Sequence, residues 1–144
     1  MKIIIEEPPE GAEERIIVQC HDISPELLSV LNSLKTPCRM LVAYIDNETH
    51  RVSPSEVFYI EAVDKKTFLY SECNVYESKQ KLYELEELAM NDFFRISKSV
   101  IVNLSKIKSL IPSFSGRVEA VLINKEKVII SRRYVSELKK ALGI

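Results

Sequence analysis

Residues 57–71 run Val57-Phe58-Tyr59-Ile60-Glu61-Ala62-Val63, then Asp64-Lys65-Lys66, then Thr67-Phe68-Leu69-Tyr70-Ser71. Two runs rich in β-branched and aromatic residues flank three polar ones, which is the pattern of two strands joined by a tight turn. The same pattern extends outward in both directions. Residues 39–45 and 49–52 can pair across Asp46-Asn47-Glu48. Downstream, residues 107–113 and 118–123 flank Phe114-Ser115-Gly116-Arg117, and residues 128–130 follow Asn124-Lys125-Glu126-Lys127 to complete a meander. Turn signals recurring roughly every eight to twelve positions predict an antiparallel β-rich unit. Its start lies near residue 37, where the texture changes.

Helical periodicity interrupts the strands in three places. Over residues 79–89, Leu82, Leu85, Leu88 and Ala89 mark an apolar stripe with Glu84, Glu86 and Glu87 outside it, and Ser78 is placed to cap the N-terminus. Tyr134, Val135, Leu138, Ala141 and Leu142 predict a closing amphipathic helix with Gly143 near its end. Near the N-terminus, strands over residues 2–5 and 15–20 flank a Pro/Gly/Glu loop over residues 6–14. Asp22 or Ser24 then caps a short helix bearing Leu27, Leu28, Leu31 and Leu34. The predicted fold is therefore mainly β with few helices (α+β). A β-β-α extension over residues 1–37 precedes a β-rich domain over residues 38–144.

A chain of 144 residues suits one domain with a short extension, and no low-complexity stretch signals disorder. Net charge is −1, but it is divided unevenly. Residues 1–90 hold 9 Lys and Arg against 17 Asp and Glu, net −8, whereas residues 91–144 hold 11 against 4, net +7. A basic part of this kind points to a polyanionic partner. Cys20, Cys38 and Cys73 are odd in number and widely spaced, which suggests neither a disulfide framework nor a zinc site. His21 and His50 are the only histidines and sit in no nucleophile-base pattern, and 3 Gly supply no phosphate-cradling loop. No enzyme, metal, cofactor or small-molecule substrate is expected. The apolar run at residues 3–5 is too short for a signal peptide, so the expected compartment is the cytoplasm.

Two stretches carry the chemistry. Phe93-Phe94-Arg95-Ile96-Ser97-Lys98-Ser99 leads into Val100-Ile101-Val102-Asn103, and Ser131-Arg132-Arg133-Tyr134 opens the last helix. Each offers cations and hydroxyls from a backbone anchored by apolar neighbours. Lys98 should face solvent, and Asn103 reads as a buried residue tying down a turn. Arg132 and Arg133 fall where the helix dipole disfavours cations, so an anion would account for them, as would pairing with Glu137 or the acidic half of the chain.

These residues, with Asn124, Ile107 and the strand containing Tyr59-Ile60-Glu61, resemble the LytTR DNA-binding domain over residues 38–144. The resemblance implies an elongated antiparallel β-sheet domain of a bacterial transcription regulator that places loops in successive major grooves of double-stranded DNA, usually as a homodimer. Its contacts map to Lys65 and Lys66, to Ser97, Lys98 and Ser99, and to Arg132 and Arg133. The family usually has His at the Ser97 position and often Arg at Lys98, so base reading shifts toward Arg133 and the other positions grip phosphate. The usual turn glycine is replaced by Lys125, which leaves Asn124 to supply the left-handed conformation. Most members are response regulators with a phosphorylated receiver, for which residues 1–37 are too few; the chain resembles the stand-alone type. The extension then reads as a dimerisation or sensing element, and a small membrane protein is a candidate partner. The alternatives are an RNA or single-strand binder stacking bases on Phe58, Tyr70, Tyr76 or Phe114, and a basic protein-interaction module.

Overall fold

The computed structural model of the protein describes residues 4–13, 15–35, 40–88 and 92–144. The chain divides into two compact units, Met1–Pro37 and Cys38–Ile144.

In the first unit, helix α1 spans Pro25–Lys35. Ser24 caps it: its Oγ accepts from the Leu27 N–H at 3.2 Å and its carbonyl from the Leu28 N–H at 2.9 Å. Pro25 follows at the first helical position, where its missing N–H costs nothing. Residues 15–20 form no strand and no ladder, and neither do residues 4 and 5. Of the β-β-α extension, the helix is the part formed among the described residues. Two short strands without a third partner bury too little apolar surface to hold themselves together.

Among the described residues the second unit contains ten strands and two α-helices, besides three single 3-10 turns: β1 (Leu41–Ile45), β2 (Glu48–Val52), β3 (Val57–Val63), β4 (Lys66–Ser71), β5 (Val75–Ser78), α2 (Leu82–Leu88), β6 (Phe93–Arg95), β7 (Val100–Asn103), β8 (Ile107–Pro112), β9 (Val118–Leu122), β10 (Lys127–Ile130) and α3 (Arg132–Leu142). Seven strands form one sheet in the order β2-β1-β5-β4-β3-β7-β6, and three form another in the order β10-β9-β8. Every pairing is antiparallel. The mainly β architecture with few helices is the one the sequence predicts.

Two cores explain why the central strands are apolar almost continuously. Val57, Ile60, Leu69 and Ile101 pack with Leu82 and Leu85 of α2. Phe58 and Val102 join Ile96, Ala120, Leu122, Ile130 and Leu138 in a second cluster, made with the three-stranded sheet and α3. Adjacent residues of a strand point to opposite faces, so Ile101 and Val102 serve different cores. In β3 a register shift between Val57 and Tyr59 resets the alternation, so that Val57 and Ile60 face one core and Phe58 the other.

The hairpin over residues 57–71 is tighter than its sequence suggests. Val63 pairs with Lys66, so the turn is Asp64-Lys65 alone, with φ of 49° and 65°. Positive φ at both central residues is the turn whose twist matches the flanking strands. Lys66 thus opens β4. Helix α2 also starts later than predicted: Ser78 closes β5, and its Oγ accepts from the Gln80 N–H instead. The start of α2 is held by Glu84, whose Oε2 accepts from the Lys81 N–H at 2.7 Å. Ala89 lies outside the described residues. Near β10, Lys125 itself adopts φ 71°, while Asn124 Oδ1 accepts from the Glu126 N–H at 3.1 Å. Asn124 therefore braces the turn and Lys125 takes the left-handed conformation, at the local cost that a Cβ brings there.

Candidate nucleic-acid interface

The predicted contact segments are brought together by backbone hydrogen bonds. Segment 97–99 leaves β6 and returns as β7: the Ile96 and Ser97 N–H groups both donate to the Val100 carbonyl, at 3.0 and 3.3 Å. Ser97 Oγ accepts from the Ser99 N–H at 3.2 Å, so that hydroxyl is partly used inside the turn. Lys98 is exposed and makes no ion pair among the described residues.

On one side the Ser99 carbonyl accepts from the Ala62 N–H at 2.8 Å, next to the hairpin end that carries Lys65. On the other the Ile96 carbonyl accepts from the Ser131 N–H, also at 2.8 Å. Ser131 immediately precedes Arg132 and Arg133. The three places therefore form one connected strip. Lys66 is partly diverted, with its Nζ 3.7 Å from Glu77 Oε1. Lys65 stands at the tip and is exposed.

Arg95 presets the middle of the strip. Its Nε donates to the Ser97 carbonyl at 2.8 Å, its Nη2 donates to the Lys98 carbonyl, and its Nη1 meets Glu86 Oε2 of α2 at 2.9 Å. One rigid guanidinium thus fixes two consecutive carbonyls of the turn. The sequence reading passed over this role, although an Arg before a short polar turn is a usable signal for it.

Arg132 and Arg133 are the first two residues of α3, behind Ser131, whose side chain makes no capping bond. No acidic residue stands in that first turn. Neither arginine pairs with Glu137 or any other carboxylate among the described residues. Arg133 turns over Tyr134, 5.8 Å from its ring centroid. At the other end of α3, Lys139 and Lys140 suit the dipole, and Gly143 closes the helix at φ 77°. No carboxylate among the described residues compensates the cations at its N-terminus. Asn103 is 1% exposed; it donates to the Val57 carbonyl at 2.9 Å and accepts from both the N–H and the hydroxyl of Ser105. It ties a turn, as its sequence context implies.

The aromatics proposed for stacking are mostly occupied. Phe58 is in the core, Tyr70 stacks on Tyr59 with centroids 4.4 Å apart, and Tyr76 packs against His50 at 5.5 Å. Phe114 alone of the four is open to solvent. No group of three or more His, Cys, Asp or Glu suited to a metal occurs among the described residues, and none of their helices is long and apolar enough to cross a membrane.

The fold and this strip define a β-rich domain that presents cations from two turns and the start of α3. No two helices follow one another directly, so no helix-turn-helix forms among the described residues. Residues 47–143 match the LytTr DNA-binding domain, and the chain belongs to that family, a DNA-binding family and not a class of enzymes. It is 30% identical over 134 residues to a protein of Staphylococcus aureus (strain NCTC 8325 / PS 47) named an uncharacterized HTH-type transcriptional regulator, covering 92% of this chain and 91% of that one. A counterpart in strain MRSA252 is 29% identical over the same length. Among solved structures, a LytTr DNA-binding domain from Bacillus cereus matches with a TM-score of 0.69 at 32% identity, covering 74% of this chain and 98% of that one.

Proposed function

We propose that this protein is a transcription regulator that binds specific sequences in double-stranded DNA, with turns and the first residues of α3, rather than a recognition helix laid along it, entering the major groove. The observation that carries the reading is the continuity of the strip: Lys65, Lys98 and Arg132-Arg133 lie on segments joined by the Ala62-to-Ser99 and Ser131-to-Ile96 hydrogen bonds. A cationic strip on rigid backbone suits phosphates spaced along a duplex. Lys65, Lys66, Ser97, Lys98, Ser99 and Arg132 hold the backbone in this reading, and Arg133 reads a base edge with its bidentate fork. The transcription-regulator names of the relatives agree with it.

A single module of this kind covers about 600–1,000 Å² of protein surface. That small area favours a homodimer on paired sites, with residues 1–37 as a dimerisation or sensing element and residues 38–144 as the DNA-binding domain. A small membrane protein is a candidate partner for the extension, and the cytoplasm is the compartment such a regulator would occupy.

The test is fluorescence anisotropy with a duplex recovered by genomic footprinting, competed by a scrambled duplex and by its own single strands. The footprinted duplex should win. Preference for the single strands would favour the RNA or single-strand reading, and indifference to scrambling would leave only a basic docking surface.

A further inference from the structure

The turn between β8 and β9 belongs to none of the three contact places, yet it faces the same concavity as Arg132 and Arg133. Ser115, Arg117, Ser131, Arg132 and Arg133 line an open hollow of about 640 Å³. Three of its lining residues are arginines and two are serines. Among the described residues no carboxylate pairs with any of the three arginines, and no side-chain hydrogen bond engages Arg117 or Arg132.

The turn is built to stay there. The Ser113 N–H donates to the Arg117 carbonyl at 2.9 Å, and the Arg117 N–H to the Phe114 carbonyl at 3.2 Å. Ser115 and Gly116 both take positive φ, 60° and 75°. Because Gly116 has no side chain, the stem of Arg132 lies directly against it. Turn and helix start therefore share one wall. Phe114, 89% exposed, stands uncovered on the same turn.

We propose that this turn is a fourth DNA contact: Arg117 grips a backbone phosphate in the hollow with Arg132, and Phe114 covers an adjoining deoxyribose. Three arginines lining one hollow, with no carboxylate partner among the described residues, make a site that an anion relieves, and guanidiniums suit a phosphodiester's paired oxygens. An apolar ring beside them has a partner in the sugar face. The contact lengthens the footprint at the α3 end without adding a base-reading group.

The inference rests on the duplex-DNA reading, and one experiment separates the two. Full-length wild type, Arg117→Ala, Arg117→Lys and Phe114→Ala are titrated by anisotropy against the footprinted duplex over a salt series. A phosphate contact contributes about 0.9 to the slope of log K against log salt, equivalent to roughly eightfold in affinity at 0.1 M. Arg117→Ala should lose that much affinity and lower the slope by about one, equally on scrambled duplex, while Arg117→Lys keeps the slope. Phe114→Ala should weaken binding severalfold with the slope unchanged. All the altered side chains leave the turn's backbone hydrogen bonds in place. Arg117→Ala with wild-type affinity and slope overturns the phosphate contact, and Phe114→Ala with wild-type affinity removes the ring from the interface. A wild-type protein that binds no duplex sinks this inference and the proposed function together.

Discussion

The side chain of Arg132 lies across Gly116: a Cβ built on the glycine would stand 3.0 Å from Arg132 Cδ and 3.1 Å from Cγ. With φ at 75°, Gly116 also holds a conformation that L side chains rarely adopt. The two constraints act in the same direction. Gly116→Ala should cost about 1 kcal/mol of stability from the backbone and push the Arg132 stem aside. Thermal unfolding should report the first effect. Duplex affinity, measured well below the melting temperature, should report the second as a further severalfold loss. A variant that melts earlier but binds DNA normally would show that Arg132 needs no such support.

Arg95 offers a different kind of test, since it touches the candidate interface from behind. Its guanidinium spends three of its five N–H donors on the Ser97 and Lys98 carbonyls and on Glu86, each of its three nitrogens being engaged inside the protein. Arg95→Ala should therefore weaken duplex binding by loosening the turn, while the slope of log K against log salt stays at its wild-type value. Glu86→Gln, which keeps a hydrogen-bond acceptor, should show a weaker form of the same effect. A fall in slope of about one on Arg95→Ala would instead make Arg95 a phosphate contact.

Lys98 and Arg133 should part company in a specificity assay. Arg133→Ala should cost about 1–3 kcal/mol on the cognate duplex and narrow the gap to scrambled sequence, as expected for a guanidinium on a base edge. Lys98→Ala should weaken all duplexes alike and reduce the salt slope by roughly one. If Arg133→Ala leaves both affinity and preference intact, base reading must be assigned elsewhere on the strip.

The strands were legible where turn chemistry and apolar runs agreed, as in β3, β4, β8 and β9. They were less so where tertiary context decided. β5 pairs with both β1 and β4, but its Val75-Tyr76-Glu77-Ser78 stretch is short and half polar, and Ser78 looked like a helix cap. Residues 15–20 err the other way: the run is apolar enough for a strand, but nothing among the described residues pairs with it. The cationic residues of the strip could be named from sequence. Their adjacency could not, because it depends on two backbone hydrogen bonds spanning 35 and 37 positions. Arg117 was missed for a related reason: the turn pattern marked Gly116-Arg117 as a loop, and only the packing of Arg132 on Gly116 shows which wall that loop builds.

Asn103 is a stability prediction independent of DNA. Its amide nitrogen serves the Val57 carbonyl and its oxygen serves two donors of Ser105, all with the side chain buried. Asn103→Ala leaves the buried Val57 carbonyl short of a bond and frees the turn at Ser105, whose own donors are open to water. A loss of about 1–3 kcal/mol is expected, read as a lower urea midpoint at constant slope. Asn103→Asp keeps the acceptor but cannot donate to Val57, so it should recover little. Full stability in either variant would mean that the Ser105 turn finds another anchor.

Tyr59 gives the fold an alkaline limit. Burial, reinforced by Glu126, Tyr70 and Glu61, raises its phenol from the ordinary 10.0 to about 12. Its stacked neighbour Tyr70 is raised as well, again chiefly by burial and then by Glu61. Below pH 10 the Tyr59 phenol is neutral whether the chain is folded or not, and its contribution is fully present. Between about pH 10 and 12 the unfolded chain releases the proton while the folded one holds it, so unfolding gains free energy and stability falls as pH rises. Melting temperature should therefore decline across that window in the wild type, and less steeply in Tyr59→Phe, which keeps the stacked ring and loses the ionisable group. Identical declines in the two proteins would place the alkaline sensitivity on another residue.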